Sequence, residues 1–161
     1  MKRIAISAIC LSLAVFASCG RKWEPVKTSL GDLVKVEKKS EVITTGKSAE
    51  VIRPKSGQTL YVLSFEGKSE IKYETGSDDY YPLVDSSGQQ FPLIFFGTPK
   101  SDGKLSADDW VLNGEAKGKD GRFVFSGTAR LAEPKVTFVY SAPENANGLA
   151  LKDGDQKHPI E

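Results

Sequence analysis

With 22 lysines and arginines set against 21 aspartates and glutamates over 161 residues, the chain has neither a basic field for nucleic acid nor an acidic tail for a cationic partner. Both cysteines, Cys10 and Cys19, fall within the first 19 residues, so residues 20–161 hold no disulfide. A chain of this length buries about two thirds of its unfolded surface and needs no such staple to fold as one domain.

The N-terminus opens with Lys2 and Arg3 and runs into an apolar stretch from Ile4 to Ala17. These 14 residues fall short of the roughly 20 that a helix needs to cross a bilayer. Small residues Ala17 and Ser18 then stand directly before Cys19, as a signal peptidase requires. Positive charge, apolar run and Phe16-Ala17-Ser18-Cys19 followed by Gly20 together resemble the lipobox of bacterial lipoproteins. That resemblance implies loss of residues 1–18, diacylglycerol on the Cys19 sulfur and acylation of its new amine. Phe16 departs from it, standing where the family most often has leucine. Gly20, rather than aspartate, implies sorting to the outer membrane. The alternatives are an ordinary secretory signal with a free Cys19, or an uncleaved anchor. Removal of Lys2 and Arg3 with the signal would leave 20 basic residues against 21 acidic ones.

Residues 19–31 read as a flexible tether, polar and with Pro25, and residues 32–161 as the folded domain. Trp23 stands beside Arg21 and Lys22, suited either to a membrane interface or to packing on the domain. Candidate strands follow at 33–36 and 41–45, divided by Glu37-Lys38-Lys39-Ser40. After a turn at Lys55-Ser56-Gly57-Gln58, residues 59–65 alternate cleanly. Tyr61, Leu63 and Phe65 share one face, and Leu60, Val62 and Ser64 the other. With both faces largely apolar, this predicts a central strand.

A weaker run holds Ile71 and Tyr73 ahead of a polar loop at 76–79. Residues 80–84 and 90–96 predict a hairpin around Asp85-Ser86-Ser87-Gly88. Pro82 and Pro92 cannot donate ladder hydrogen bonds and place that hairpin at a sheet border. Ser106-Ala107-Asp108-Asp109-Trp110 fits one helical turn with Ser106 as N-cap. Residues 114–121 read as an exposed hairpin loop, 122–131 and 135–140 as a strand pair, and 149–151 as a last strand before a turn at Asp153-Gly154-Asp155. About seven to nine short strands with regular turn signals predict an all-β fold, an immunoglobulin-like antiparallel β-sandwich.

An apolar strand near Tyr61 to Phe65, Pro82-Leu83-Val84-Asp85-Ser86-Ser87-Gly88 ahead of an aromatic strand, and paired strands around Phe125 and Phe138 resemble the telokin-like, immunoglobulin-type domains of many bacterial lipoproteins. The likeness spans residues 32–151. Glu66-Gly67-Lys68 departs from it, since the family often has asparagine there. It brings no catalytic residues.

Chemistry is sparse along the chain. His158, the one histidine, lies near the C-terminus and is a poor general base unless the terminus folds over a site. Gly114-Glu115-Ala116-Lys117-Gly118-Lys119-Asp120 fails as a phosphate loop, because its spacing is one short and Asp120 replaces the hydroxyl. The acidic pairs Asp78-Asp79 and Asp108-Asp109 are a remote candidate for hydrolysis. With Asp153 and Asp155 they also offer oxygen ligands to calcium, but none has EF-hand spacing. No cofactor or metal is expected. The remaining candidate is aromatic: Tyr80, Tyr81, Phe91, Phe95 and Phe96 lie on one predicted hairpin. One residue of Tyr80-Tyr81 and one of Phe95-Phe96 exposed at an edge would form a patch for protein or carbohydrate; the alternative is that the sandwich layers bury them. The expected function is a non-enzymatic envelope lipoprotein, held to its membrane by Cys19, binding a protein or ligand through these aromatics. A structural or stress-related lipoprotein without ligand is the second reading, and a carboxylate-dependent hydrolase the third.

Overall fold

A computed structural model describes residues 24–46, 49–75, 80–108, 110–119 and 122–160. They hold fifteen strands: β1 (Val26–Thr28), β2 (Gly31–Lys39), β3 (Val42–Thr45), β4 (Val51–Ile52), β5 (Gln58–Glu66), β6 (Glu70–Thr75), β7 (Leu83–Val84), β8 (Gln90–Phe91), β9 (Leu93–Pro99), β10 (Leu105–Ser106), β11 (Trp110–Lys119), β12 (Arg122–Leu131), β13 (Lys135–Pro143), β14 (Ala150–Asp153) and β15 (Gln156–Pro159). The fold is an all-β sandwich, as its alternating pattern predicts. The strands number more than the seven to nine expected, because several are two-residue pieces that no periodicity can reveal.

The largest sheet has the order β1-β2-β5-β13-β9-β10-β3-β4. All its ladders are antiparallel except β10 with β3, which is parallel. β5 lies between β2 and β13, the central place its two apolar faces predict. Tyr61, Leu63 and Phe65 enter the main core with Val136, Phe138, Tyr140 and Ala142 of β13. Leu60 and Val62 enter a second core with Val42, Leu105 and Val139. β2 and β3 adjoin in the chain yet stand second and seventh in the sheet, so the sheet must curl, and Val42 is thereby brought onto Val62.

A three-stranded sheet, β11-β12-β6, and a four-stranded one, β15-β14-β7-β8, complete the sandwich and contribute Ile71, Tyr73, Ala129, Leu131, Leu83 and Leu151 to the main core. The strand pair expected between 122–131 and 135–140 does not form. β12 pairs with β11 and β6, whereas β13 pairs with β5 and β9. The two connections instead bend side by side: Gly67 N–H donates to Pro134 C=O at 2.9 Å and Leu131 N–H to Ser69 C=O at 2.8 Å. The β5–β13 ladder therefore continues through this corner into the β6–β12 ladder, the way strands change sheets in a sandwich.

Four other readings change. Glu37 to Lys39 do not divide two strands but end β2. Residues 114–119 are strand rather than loop, with Asp120 and Gly121 outside the described residues. No helical turn forms at Ser106: it ends β10, and its hydroxyl accepts the Asp108 N–H at 3.3 Å in a local turn. The tether boundary also moves, since β1 pairs with β2 through Val26–Leu33 and Leu30 is 1% exposed.

Candidate functional site

The predicted 80–96 hairpin is divided by Pro92. β7 pairs with β8 in the four-stranded sheet, while β9 joins β13 in the largest one. This sends the four candidate aromatics to different places. Phe95 stands opposite Val139 and packs on the second core, whereas Phe96 stands opposite Phe138 on the main core. Tyr80 is 9% exposed, and Tyr81, Phe95 and Phe96 are half-buried, so none forms an exposed edge patch. Phe138 gathers three of them: its ring centroid lies 5.6 Å from Phe96, 6.0 Å from Tyr80 and 6.2 Å from Tyr81, while Phe95 stays with the second core.

The structure brings Tyr80 and Tyr81 together at the mouth of a groove of about 510 Å³, lined also by Lys72, Tyr73, Glu74, Ser126, Gly127 and Thr128. The sequence reading missed these residues of β6 and β12, because alternating polar positions on a strand look like any solvated face. Gly127 stands opposite Tyr73, and having no side chain it adds nothing to fill the groove floor. Such a volume lies within the range of about 300–1,000 Å³ common to small-ligand sites.

Both tyrosines are fixed from behind. The Tyr80 hydroxyl donates to Lys72 C=O at 2.7 Å, and its ring meets Tyr81 edge-on at 4.8 Å. Tyr81 has φ 44°, the one positive φ outside glycine among the described residues. A tyrosine held there costs about 1–3 kcal/mol, and its surroundings must supply this. The Tyr140 hydroxyl donates to Tyr81 C=O at 2.8 Å. At the other end, Ser29 donates its hydroxyl to Asp153 Oδ1 at 2.6 Å and its N–H to Oδ2 at 2.7 Å. With the Ser29 proton committed to Asp153, the Tyr81 hydroxyl is the donor in its 2.7 Å bond to Ser29 Oγ. Burial holds the Tyr80, Tyr81 and Tyr140 hydroxyls above the ordinary phenol range, with Asp153 pushing Tyr81 further and the Ser29 bond opposing.

Asp153 therefore joins the β1–β2 turn to the groove through the β14–β15 hairpin. Gly154, with φ 60°, and Asp155 form that hairpin's two-residue loop, as the Asp-Gly-Asp signal predicts. The C-terminus does fold back: His158 Nε2 lies 3.6 Å from Asp153 Oδ2, too far for a hydrogen bond. The trio is not a nucleophile and its base, because Ser29 gives its proton to the carboxylate rather than to imidazole.

No protein-family model, curated protein or solved structure matches the chain. The site must be read from its own geometry.

Among the described residues no three His, Cys, Asp or Glu side chains converge to hold a metal ion. Asp78, Asp79 and Asp109, three of the acidic residues considered for calcium or hydrolysis, lie outside those residues. No described helix is long and apolar enough to cross a membrane, and Cys19 with its signal lies outside the described residues. A smaller cavity of about 200 Å³ between Lys39, Ile43 and Lys104 carries the exposed Lys104–Asp102 ion pair at 2.9 Å.

Proposed function

We infer that this chain is a lipid-anchored, non-catalytic protein of the bacterial envelope that binds a neutral saccharide in the Tyr80–Tyr81 groove. The lipobox-like Phe16-Ala17-Ser18-Cys19 supports the anchor, and the telokin-like pattern fits the sandwich. With β1 beginning at Val26, the span from Cys19 reaches roughly 24 Å when fully extended, which keeps the domain close to the headgroups.

The observation that carries the ligand is the convergence of Tyr73, Tyr80 and Tyr81 on a groove whose charges, Lys72 and Glu74, cancel. A sugar ring offers a flat C–H face to the half-buried Tyr81 ring and a rim of hydroxyls to polar groups at the groove's edge. A strongly charged ligand finds no net field there. Burial of Tyr80, with its hydroxyl already bound to Lys72, favours the second reading, a structural lipoprotein with no ligand.

Titration of isotopically labelled Cys19→Ala protein with maltotriose and chitotriose separates the two. The saccharide reading predicts amide shifts confined to residues 72–74, 81 and 126–128, saturating with Kd about 0.1–1 mM. Tyr81→Gly, which removes the ring yet suits the left-handed backbone, abolishes them. A folded protein with no saturable shift from either sugar returns the groove to a structural role.

A further inference from the structure

The chain has three asparagines, Asn113, Asn145 and Asn147, and the first and last of them precede a glycine. An Asn-Gly pair reacts with itself when its backbone allows. The glycine peptide nitrogen attacks the asparagine side-chain carbonyl carbon, a five-membered ring closes and ammonia leaves. Water then opens the ring, and opening at the backbone carbonyl yields isoaspartate, which carries one extra CH₂ in the main chain. Glycine favours the attack because it sets no Cβ beside the nitrogen. The fold treats the three asparagines differently. Asn113 and Gly114 lie in the β11–β12 ladder, opposite Thr128 and Gly127. Ring closure there requires the asparagine to leave the extended region and the ladder to open. Asn145 and Asn147 lie in the irregular segment between β13 and β14, and both are exposed. The nitrogen that would attack Asn145 is committed, since Ala146 N–H donates to Pro143 C=O at 3.1 Å. Among the described residues nothing accepts the Gly148 N–H, and no hydrogen bond holds the Asn147 side chain.

We propose that Asn147 is a site of spontaneous conversion to isoaspartate, and that the conversion frees the 85–89 turn from the segment leading into β14. Asn147 C=O accepts the Ser86 N–H at 3.0 Å, the backbone bond that joins the two. The turn is otherwise closed on itself, with Asp85 Oδ1 accepting the N–H groups of Ser87 and Gln89 at 2.9 Å each. An extra CH₂ at position 147 moves the acceptor away from Ser86. The strain falls next to the main core: Leu149 is 1% exposed, its C=O accepts the Ile160 N–H at 3.0 Å, and Ala150 stands opposite Val84 of β7. The fold also keeps the reactive glycine in place. Gly148 has φ 62°, and a Cβ there would be strained and would lie 3.3 Å from Ser86 Cβ. The modification depends on neither the lipid anchor nor the saccharide reading, since the chain and water supply every atom it needs.

The test is tandem mass spectrometry of the full chain as cells make it, purified in detergent and aged in mildly alkaline buffer. Each conversion adds about 1 Da, and fragmentation assigns it to one asparagine. Asn147 is expected to convert at least about tenfold faster than Asn113, which must first open its ladder, and faster than Asn145. In denaturant the Asn113 and Asn147 rates should converge, because the two dipeptides are the same and only the fold tells them apart. Aged wild type should melt about 3–5 °C lower than fresh protein, from loss of the Ser86 bond. Asn147→Gln, whose longer side chain closes the ring poorly, should keep its melting temperature through the same ageing. An Asn147 that stays intact, or that converts no faster than Asn113 in the folded protein, would overturn the proposal. So would an aged wild type that melts no lower than aged Asn147→Gln.

Discussion

Raising the pH above about 10 is expected to unfold this domain in a single steep step, with Tyr80, Tyr81 and Tyr140 ionising only as the sheets are lost. All three hydroxyls are held above the ordinary phenol value, first by burial, then by one another and by the nearby Glu74 and Asp153. The unfolded chain ionises them near pH 10, whereas the folded chain keeps them protonated well beyond. Above that pH the unfolded state binds fewer protons, so stability falls as pH rises. Below it the contribution is fully present. Buried Tyr80 and Tyr140 each account for about 1.4 kcal/mol per pH unit, and half-exposed Tyr81 adds less because solvent screens it, so the group supplies about 3 kcal/mol per unit. Against a typical domain stability of about 5–15 kcal/mol, a rise of one to a few pH units is enough. Tyrosinate absorbance and far-ultraviolet circular dichroism, followed together, should change at the same pH. Gradual tyrosine ionisation near pH 10 in a protein that keeps its β signal would show that the tyrosines are not held as described.

The second large effect is at the N-terminus. Cys19→Ala is expected to move the protein from the carbonate-washed membrane fraction to the soluble one, with loss of palmitate labelling. Each buried CH₂ contributes about 0.8 kcal/mol, so one chain holds a protein marginally and three hold it almost irreversibly. Membrane retention should fall by several orders of magnitude, because the acyl chains' contribution is lost. A Cys19→Ala protein that fractionates like an unlabelled wild type would remove the anchor.

What the sequence made legible follows from how local each signal is. β5 could be recognised because Tyr61, Leu63 and Phe65 alternate with Leu60 and Val62 within one short run, and a strand apolar on both faces has to be central. Its partners could not, because ladders join residues far apart in the chain, such as Lys135 with Glu66. The β11–β12 hairpin carried a strong cue in Asp120-Gly121, the dipeptide of tight hairpins. Gly114 and Gly118 hid it by interrupting the alternation upstream. Pro92 marks both a break in pairing and a change of sheet, since β8 before it borders the four-stranded sheet, as expected, and β9 after it joins the largest one. At the site, Tyr80 and Tyr81 stood out by type, while their burial depends on Phe138, 57 or more residues away. Ser29 and Asp153 are ordinary turn residues in sequence and became visible only when the β14–β15 hairpin folded onto the β1–β2 turn.

The claim that the Tyr80–Tyr81 groove is where this protein meets its ligand is tested most directly by a photoreactive benzophenone side chain placed at Lys72, on the groove rim, in the membrane-bound protein. The same side chain at Ile94, exposed at the β9–β13 bulge, serves for comparison. Irradiation in cells should join one discrete species at Lys72, absent at Ile94 and lost when Tyr81→Gly is added. An identical pattern from both positions, or no adduct at Lys72, would contradict a binding role for the groove.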